Sequence, residues 1–139
     1  MSSFTCLPVA FTVHFANSPV NNIGDKGVFK FDTVITNVGQ GYDTHTGIFT
    51  APVPGTYLFF LNLMSSNDHG SIWAAIDKHG EMIGSVWAGG SGDHDDQGSS
   101  LVTTHMNAGD QVWVRQNAGS SAVQGAFWTV FSGSLIQVD

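Results

Sequence analysis

Basic residues are scarce. Four Lys plus Arg stand against eleven Asp plus Glu in 139 residues, a formal net charge of −7. No cationic stripe is left to neutralise phosphates or to meet an anionic bilayer, so nucleic acid and membrane surfaces are poor readings for a partner. Cysteine is down to Cys6, which allows no internal disulfide and no Cys-x-x-Cys pair for zinc or redox chemistry. Glutamate is down to Glu81, and there is no Gly-x-Ser-x-Gly elbow, His-Glu-x-x-His or phosphate loop, so no enzyme is expected. No apolar run approaches the ~20 residues of a membrane span, which argues against membrane insertion. The opening MSSFTCLPVAFTV lacks the positive start of a signal peptide and alternates like a strand.

What is present is apolar. Hydrophobic residues make up 42% and aromatics 12%, against 11% charged. The charged share of an ordinary globular surface is about 25%. The chain is too apolar for disorder and too sparsely charged for a solvated monomer, which points to burial by a partner. Its length fits one domain, a terminal segment at 1–6 followed by a sandwich over 7–139. Seventeen Gly and four Pro punctuate stretches rich in Val, Ile, Phe, Trp, Tyr and Thr, the spacing of short antiparallel strands. Strands are predicted at 8–15, 27–36, 45–50, 55–65, 71–78, 82–88, 99–106, 110–117 and 126–137, an all-β antiparallel sandwich. Lys78-His79-Gly80-Glu81 reads as a tight turn and residues 51–55 as a corner that keeps proline out of the ladders.

Two strands are apolar on both faces. In 126–137 one face holds Phe127, Thr129, Phe131 and Leu135, the other Ala126, Trp128, Val130 and Ile136. In 55–65 the faces are Tyr57, Phe59, Leu61, Leu63 and Leu58, Phe60, Met64. A sandwich covers only the inner face of each sheet, so the outer one calls for a second copy of the chain, or else for capping by the chain's own loops.

Along the chain run Phe31, Asn37, Tyr42 and Phe49, then Gly55-x-Tyr57-x-Phe59-x-Leu61, with Ala10-Phe11-Thr12-Val13 before them and Gly109-Asp110-Gln111-Val112-Trp113-Val114 and Phe131-Ser132-Gly133-x-Leu135 after. This pattern resembles the signature of the globular C1q domain and covers nearly the whole chain. Leu61 departs from it, since the family usually has Phe or Tyr there. The resemblance implies a ten-stranded antiparallel jelly roll of the C1q and tumour-necrosis-factor type, assembled as a homotrimer. It also implies a secreted protein of innate immunity, similar to stalkless invertebrate lectins that bind microbial glycans. The alternative it leaves open is a trimeric ligand or scaffold that binds a receptor or other protein through the same loops.

Strand alternation predicts that loops 66–70 and 89–98 meet at one end, joined by loops 37–44 and 118–125. That end gathers Asn67, Asp68 and His69, then Asp93, His94, Asp95 and Asp96, with Tyr42 and Asp43 nearby and no Lys or Arg in any of the loops. Alternate carboxylates followed by Gly98 resemble half of a calcium loop, so Asp93, Asp95 and Asp96 are the candidate metal ligands. The twelfth position is Thr104 where an EF-hand has Glu, and a solvated acidic loop is the plain alternative. Of the residues that hold calcium in C1q-like domains only Asp96 carries over from the resemblance; the usual upstream acidic partner falls near Ala88.

For sugar recognition, an aromatic face with amides and carboxylates around it is the usual requirement. Trp87, beside the lean stretch Ala88-Gly89-Gly90-Ser91-Gly92, is the candidate face, against core or trimer packing as for Trp113 and Trp128. His69 and His94, each next to an Asp, are candidate ligand contacts, whereas His14 and His105 sit inside strands.

Overall fold

Alternation of apolar side chains does most of the work of building this fold. The computed structural model describes residues 8–66, 70–89 and 95–139. In chain order the strands are β1 (Ala10–Phe15), β2 (Thr33–Val38), β3 (Tyr42–Asp43), β4 (Ile48–Thr50), β5 (Gly55–Met64), β6 (Ile72–Lys78), β7 (Glu81–Ala88), β8 (Gln97–Met106), β9 (Gln111–Gly119) and β10 (Ala126–Val138). They form two five-stranded sheets in the orders β2-β1-β10-β5-β8 and β3-β4-β9-β6-β7, with every pairing antiparallel. The described residues contain no helix, and none long and apolar enough to cross a membrane.

The sheets face each other across a core of rings. Tyr57, Phe59, Leu61 and Leu63 of β5 are fully buried, and Phe11, Phe31, Phe49 and Phe131 pack around them. Phe11 stacks on Phe49 at 4.9 Å between centroids and meets Phe131 edge-on at 5.1 Å, geometries that add to the burial of area. The other face of β5, with Leu58, Phe60 and Met64, is only half buried. Around it Leu101 is 59%, Trp128 51% and Ile136 53% exposed. Both faces of this sheet are therefore apolar, and the chain itself covers one of them.

Four expectations need correcting. The described residues form ten strands, as the resemblance implies, and the one unread from the residues is β3, two residues long. The stretch 27–36 is not one strand. Residues 27–29 bond to β9, through Phe29 N to Val114 O and Gln116 N to Gly27 O at 2.8 Å each. The chain then crosses to the other sheet, and β2 begins at Thr33. Phe127 does not join Phe131 on the core face and is 69% exposed. The backbone turns just before it, with Ala126 at φ 49° and a bond from Trp128 N to Gly125 O, so alternation starts at Trp128.

The fourth concerns parity. β2 runs down to the end where β5 starts, because Ala10 pairs with both Val38 and Ser134, and Ser134 with Leu58. Missing β3 from the count inverts every later direction relative to the 37–44 loop. That loop lies at the lower end, with the Lys78–Glu81 turn, the start of β1 and the finish of β10. The upper end holds residues 65–66, 88–89, 95–96 and 118–125, as expected.

Candidate functional site

At the upper end Asp96 is tied to its neighbour through the backbone and Asp95 through its side chain. Ser65 N donates to Asp96 O at 2.8 Å, and Asp96 N donates to Ser65 Oγ at 3.0 Å. Gln124 Nε2 donates to Asp95 Oδ2 at 3.1 Å, which brings the 118–125 turn against the acidic segment. The Asp96 carboxylate lies along the backbone of Gly89, where a Cβ would sit 2.5 Å from Oδ2. Trp87 is two residues before that glycine.

Trp87 is 60% exposed and pairs directly across the ladder with Trp73, which is half buried. The two indoles share the outer face of the second sheet, on its edge strand β7 and the neighbouring β6. Further along that face Arg115 grips Asp77 in a fork, Nε to Oδ2 at 2.6 Å and Nη2 to Oδ1 at 3.3 Å. Its Nη1 donates to Asn117 Oδ1 at 2.9 Å. Asp77 is 1% exposed, and its hydrogen bond holds the guanidinium even more firmly protonated than usual. The exposed indole of Trp87, with the half-buried Trp73 behind it and the ordered Arg115–Asp77 cluster further along, offers an apolar aromatic face to a ligand.

The structure does not bring all the predicted residues together. Tyr42 and Asp43 stand at the lower end, far along the strands from Asp95, Asp96 and Trp87. Tyr42 is 4% exposed, stacks on Phe11 and donates its hydroxyl to Phe31 O at 2.8 Å; burial pushes its phenol well above the usual range. Asp43 is exposed and accepts from His45 N at 2.8 Å within its own turn. Asn67, Asp68, His69, Asp93 and His94 lie outside the described residues. Among the described residues no three His, Cys, Asp or Glu converge, so Asp95 and Asp96 are the two candidate calcium ligands whose positions are known.

His14 is buried with its ring stacked on Phe127 at 4.5 Å, and Nδ1 lies 3.0 Å from Phe15 O. His105 Nε2 pairs with Asp139 at 2.8 Å. The Arg115–Asp77 fork escaped the sequence reading. Its signal is the common parity of positions 73, 75 and 77 with 113, 115 and 117, legible once β6 and β9 are paired.

The C1q domain family model matches residues 10–136. Complement C1q tumor necrosis factor-related protein 3 of Mus musculus is 28% identical over 134 residues, covering 94% of this chain and 52% of that protein. Caprin-2 of Danio rerio is 32% identical over 112 residues, 78% of this chain and 12% of that protein. The chain thus spans about half the length of the first relative and a small part of the second. Among solved structures, the globular domain of zebrafish complement 1qA protein superposes with a TM-score of 0.75 at 22% identity, covering 94% of this chain and 99% of that one. The Eiger TNF of S. frugiperda superposes at 0.74 and 14% identity, covering 95% of this chain and 94% of that one. These two likenesses show the fold.

Proposed function

Because the chain belongs to the C1q domain family, we propose that it is an extracellular recognition module, a binding protein and not an enzyme, that works as a homotrimer and reads glycans at the rim around Trp87. The observation that carries the glycan reading is Trp87, 60% exposed on the edge strand β7 with the half-buried Trp73 across the ladder, two residues before Gly89, along which the Asp96 carboxylate lies. The open apolar face of the first sheet supports assembly from identical copies. A stacked sugar ring gains from the indole face, and the carboxylates accept from its hydroxyls.

Calcium belongs to the same proposal. Asp95 and Asp96, with Asp93, would hold it, and carbonyl and water oxygens would complete the six to eight ligands it takes. Bound there, the ion would neutralise the acidic rim and coordinate sugar hydroxyls.

A glycan array, run with calcium and with chelator on the wild type and Trp87→Ala, tests the reading. Binding to defined microbial saccharides that Trp87→Ala abolishes is the expected result. Silence of the wild type under both conditions removes it, and retention of a protein in excess free sugar would favour a protein partner. For the ion, chelator and Asp96→Ala should each lower the thermal midpoint, since a ligand of the folded state stabilises by mass action.

A further inference from the structure

Between β1 and β2 the chain crosses from one sheet to the other and walls a crevice of about 360 Å³. It lies on the flank of β1 and β2, whereas Trp87 is on the opposite flank, on β7. Asn17, Asn21, Asn22, Lys30 and Asp32, all exposed to solvent, are the polar and charged residues that line it. Phe15, Val20 and Ile23 supply apolar wall between them.

Most of these side chains stand clear of protein partners. Among the described residues no hydrogen bond or ion pair engages the side chains of Asn17, Asn21, Asn22 or Lys30. The other three basic side chains are each taken: Lys26 donates to Asn117 O, Lys78 to His105 O, and Arg115 to Asp77. Asp32 uses Oδ1 for Ala16 N at 2.9 Å and for Thr33 Oγ1 at 2.8 Å, which fixes the carboxylate.

The walls are braced from behind. Val20 and Val123 exchange both backbone bonds, at 2.8 and 3.0 Å, and Ile23 N donates to Ser121 O at 3.1 Å. Ser18 Oγ donates to Gln124 Oε1 at 2.8 Å and accepts from Gly125 N at 3.0 Å. A segment pinned this way keeps its shape without a ligand, which lowers the ordering cost of binding one.

We propose that this crevice is a second binding site, which takes one neutral polyhydroxylated ring, the terminal residue of a glycan. Hydroxyls both donate and accept, and carboxamides answer them in both directions, while an ammonium only donates and a carboxylate only accepts. An anionic ligand would meet Asp32 and a cationic one Lys30; a neutral polyol avoids both repulsions. The volume is at the small end of the range for ligand pockets, about 300–1,000 Å³, on the scale of a single ring. The ligand class rests on the glycan reading above; the location does not.

The test is a two-dimensional amide NMR titration of the labelled chain with methyl α-mannoside, methyl β-galactoside and N-acetylglucosamine, each in turn. At least one of them should shift the side-chain NH₂ signals of Asn17, Asn21 and Asn22. Lys30→Ala, which removes a side chain with no partner among the described residues, should weaken that response about tenfold, the loss of one charged hydrogen bond. Trp87→Ala should leave it unchanged. The same spectra confirm that both variants are folded. Absence of any shift at the three asparagines, or shifts that Lys30→Ala leaves intact, overturns the inference. A response confined to the Trp87 indole overturns it while sustaining the rim; one confined to the crevice does the reverse.

Discussion

The Asn37 side chain treats Tyr42 as a neighbouring strand would. Its Nδ2 donates to Tyr42 O at 2.9 Å and its Oδ1 accepts from Tyr42 N at 3.2 Å. One carboxamide thereby supplies the ladder contacts of the short strand β3 and closes the turn that reverses the chain after β2. The conformation it closes has Gly39 at φ 87° and Gln40 at φ 58°. Two members of the C1q signature, spaced five residues apart, are thus explained by one pair of hydrogen bonds.

Replacement of Asn37 by Ala leaves both backbone groups of Tyr42 without these partners. The expected cost is about 1–3 kcal/mol, read as a lower urea midpoint at unchanged slope. An unchanged midpoint would mean that β3 does not depend on this amide.

Gly133 gives a second test inside the core. It sits opposite both Phe11 and Phe59 in the ladders, and a Cβ there would lie 2.5 Å from the Phe11 ring and 2.8 Å from the Phe59 ring. Both rings are packed on every side, so Gly133→Ala should destabilise by about 1–3 kcal/mol through overpacking. Gly80→Ala is the comparison. Nothing lies within 4 Å of its Cβ position, and its φ of 87° costs only the left-handed conformation, about 1–2 kcal/mol. Equal urea midpoints for Gly133→Ala and the wild type would show that the rings give way.

At the lower end, His79 and Asp110 set an acid limit. His79 Nε2 lies 3.0 Å from Asp110 Oδ1, and Asn107 N donates to Oδ2 at 2.8 Å. The hydrogen bond with His79, then that from Asn107, holds the carboxyl below its ordinary value of 3.8. A carboxyl depressed in the folded state stabilises fully above its unfolded value, and the gain disappears as pH falls through the folded one. Unfolding curves of the wild type and Asp110→Asn should therefore differ at neutral pH and converge in strong acid, below 3.8. Parallel curves over the whole range would remove Asp110 from the acid response.

The outer face of the first sheet makes a prediction about assembly. Leu101 is 59% exposed on the edge strand β8, next to Phe60, its ladder partner on β5. Leu101→Glu should shift sedimentation of the proposed trimer to that of a single chain while the circular dichroism keeps its β signature. A wild type that sediments as a monomer at every concentration would refute the assembly itself.

How much of this was legible beforehand depends on the length of the signal. In β5, ten residues of strict alternation expose the buried set Tyr57, Phe59, Leu61 and Leu63 without ambiguity. β3 has two residues and no period to detect, and overlooking it carried Tyr42 and Asp43 to the wrong end. The exposure of Trp87 could be anticipated because it sits near the end of a readable strand next to glycines. The asparagines of the crevice could not, because Asn17, Asn21 and Asn22 become a wall only when Val20 and Ile23 bond to residues a hundred positions later.

The start of β1 and the finish of β10 share the lower end, where Leu135 N donates to Val9 O and Asp139 N to Pro54 O. An affinity tag or a surface anchor fused after Asp139 should therefore hold the molecule from behind, with Trp87, Asp95 and Asp96 turned toward solution.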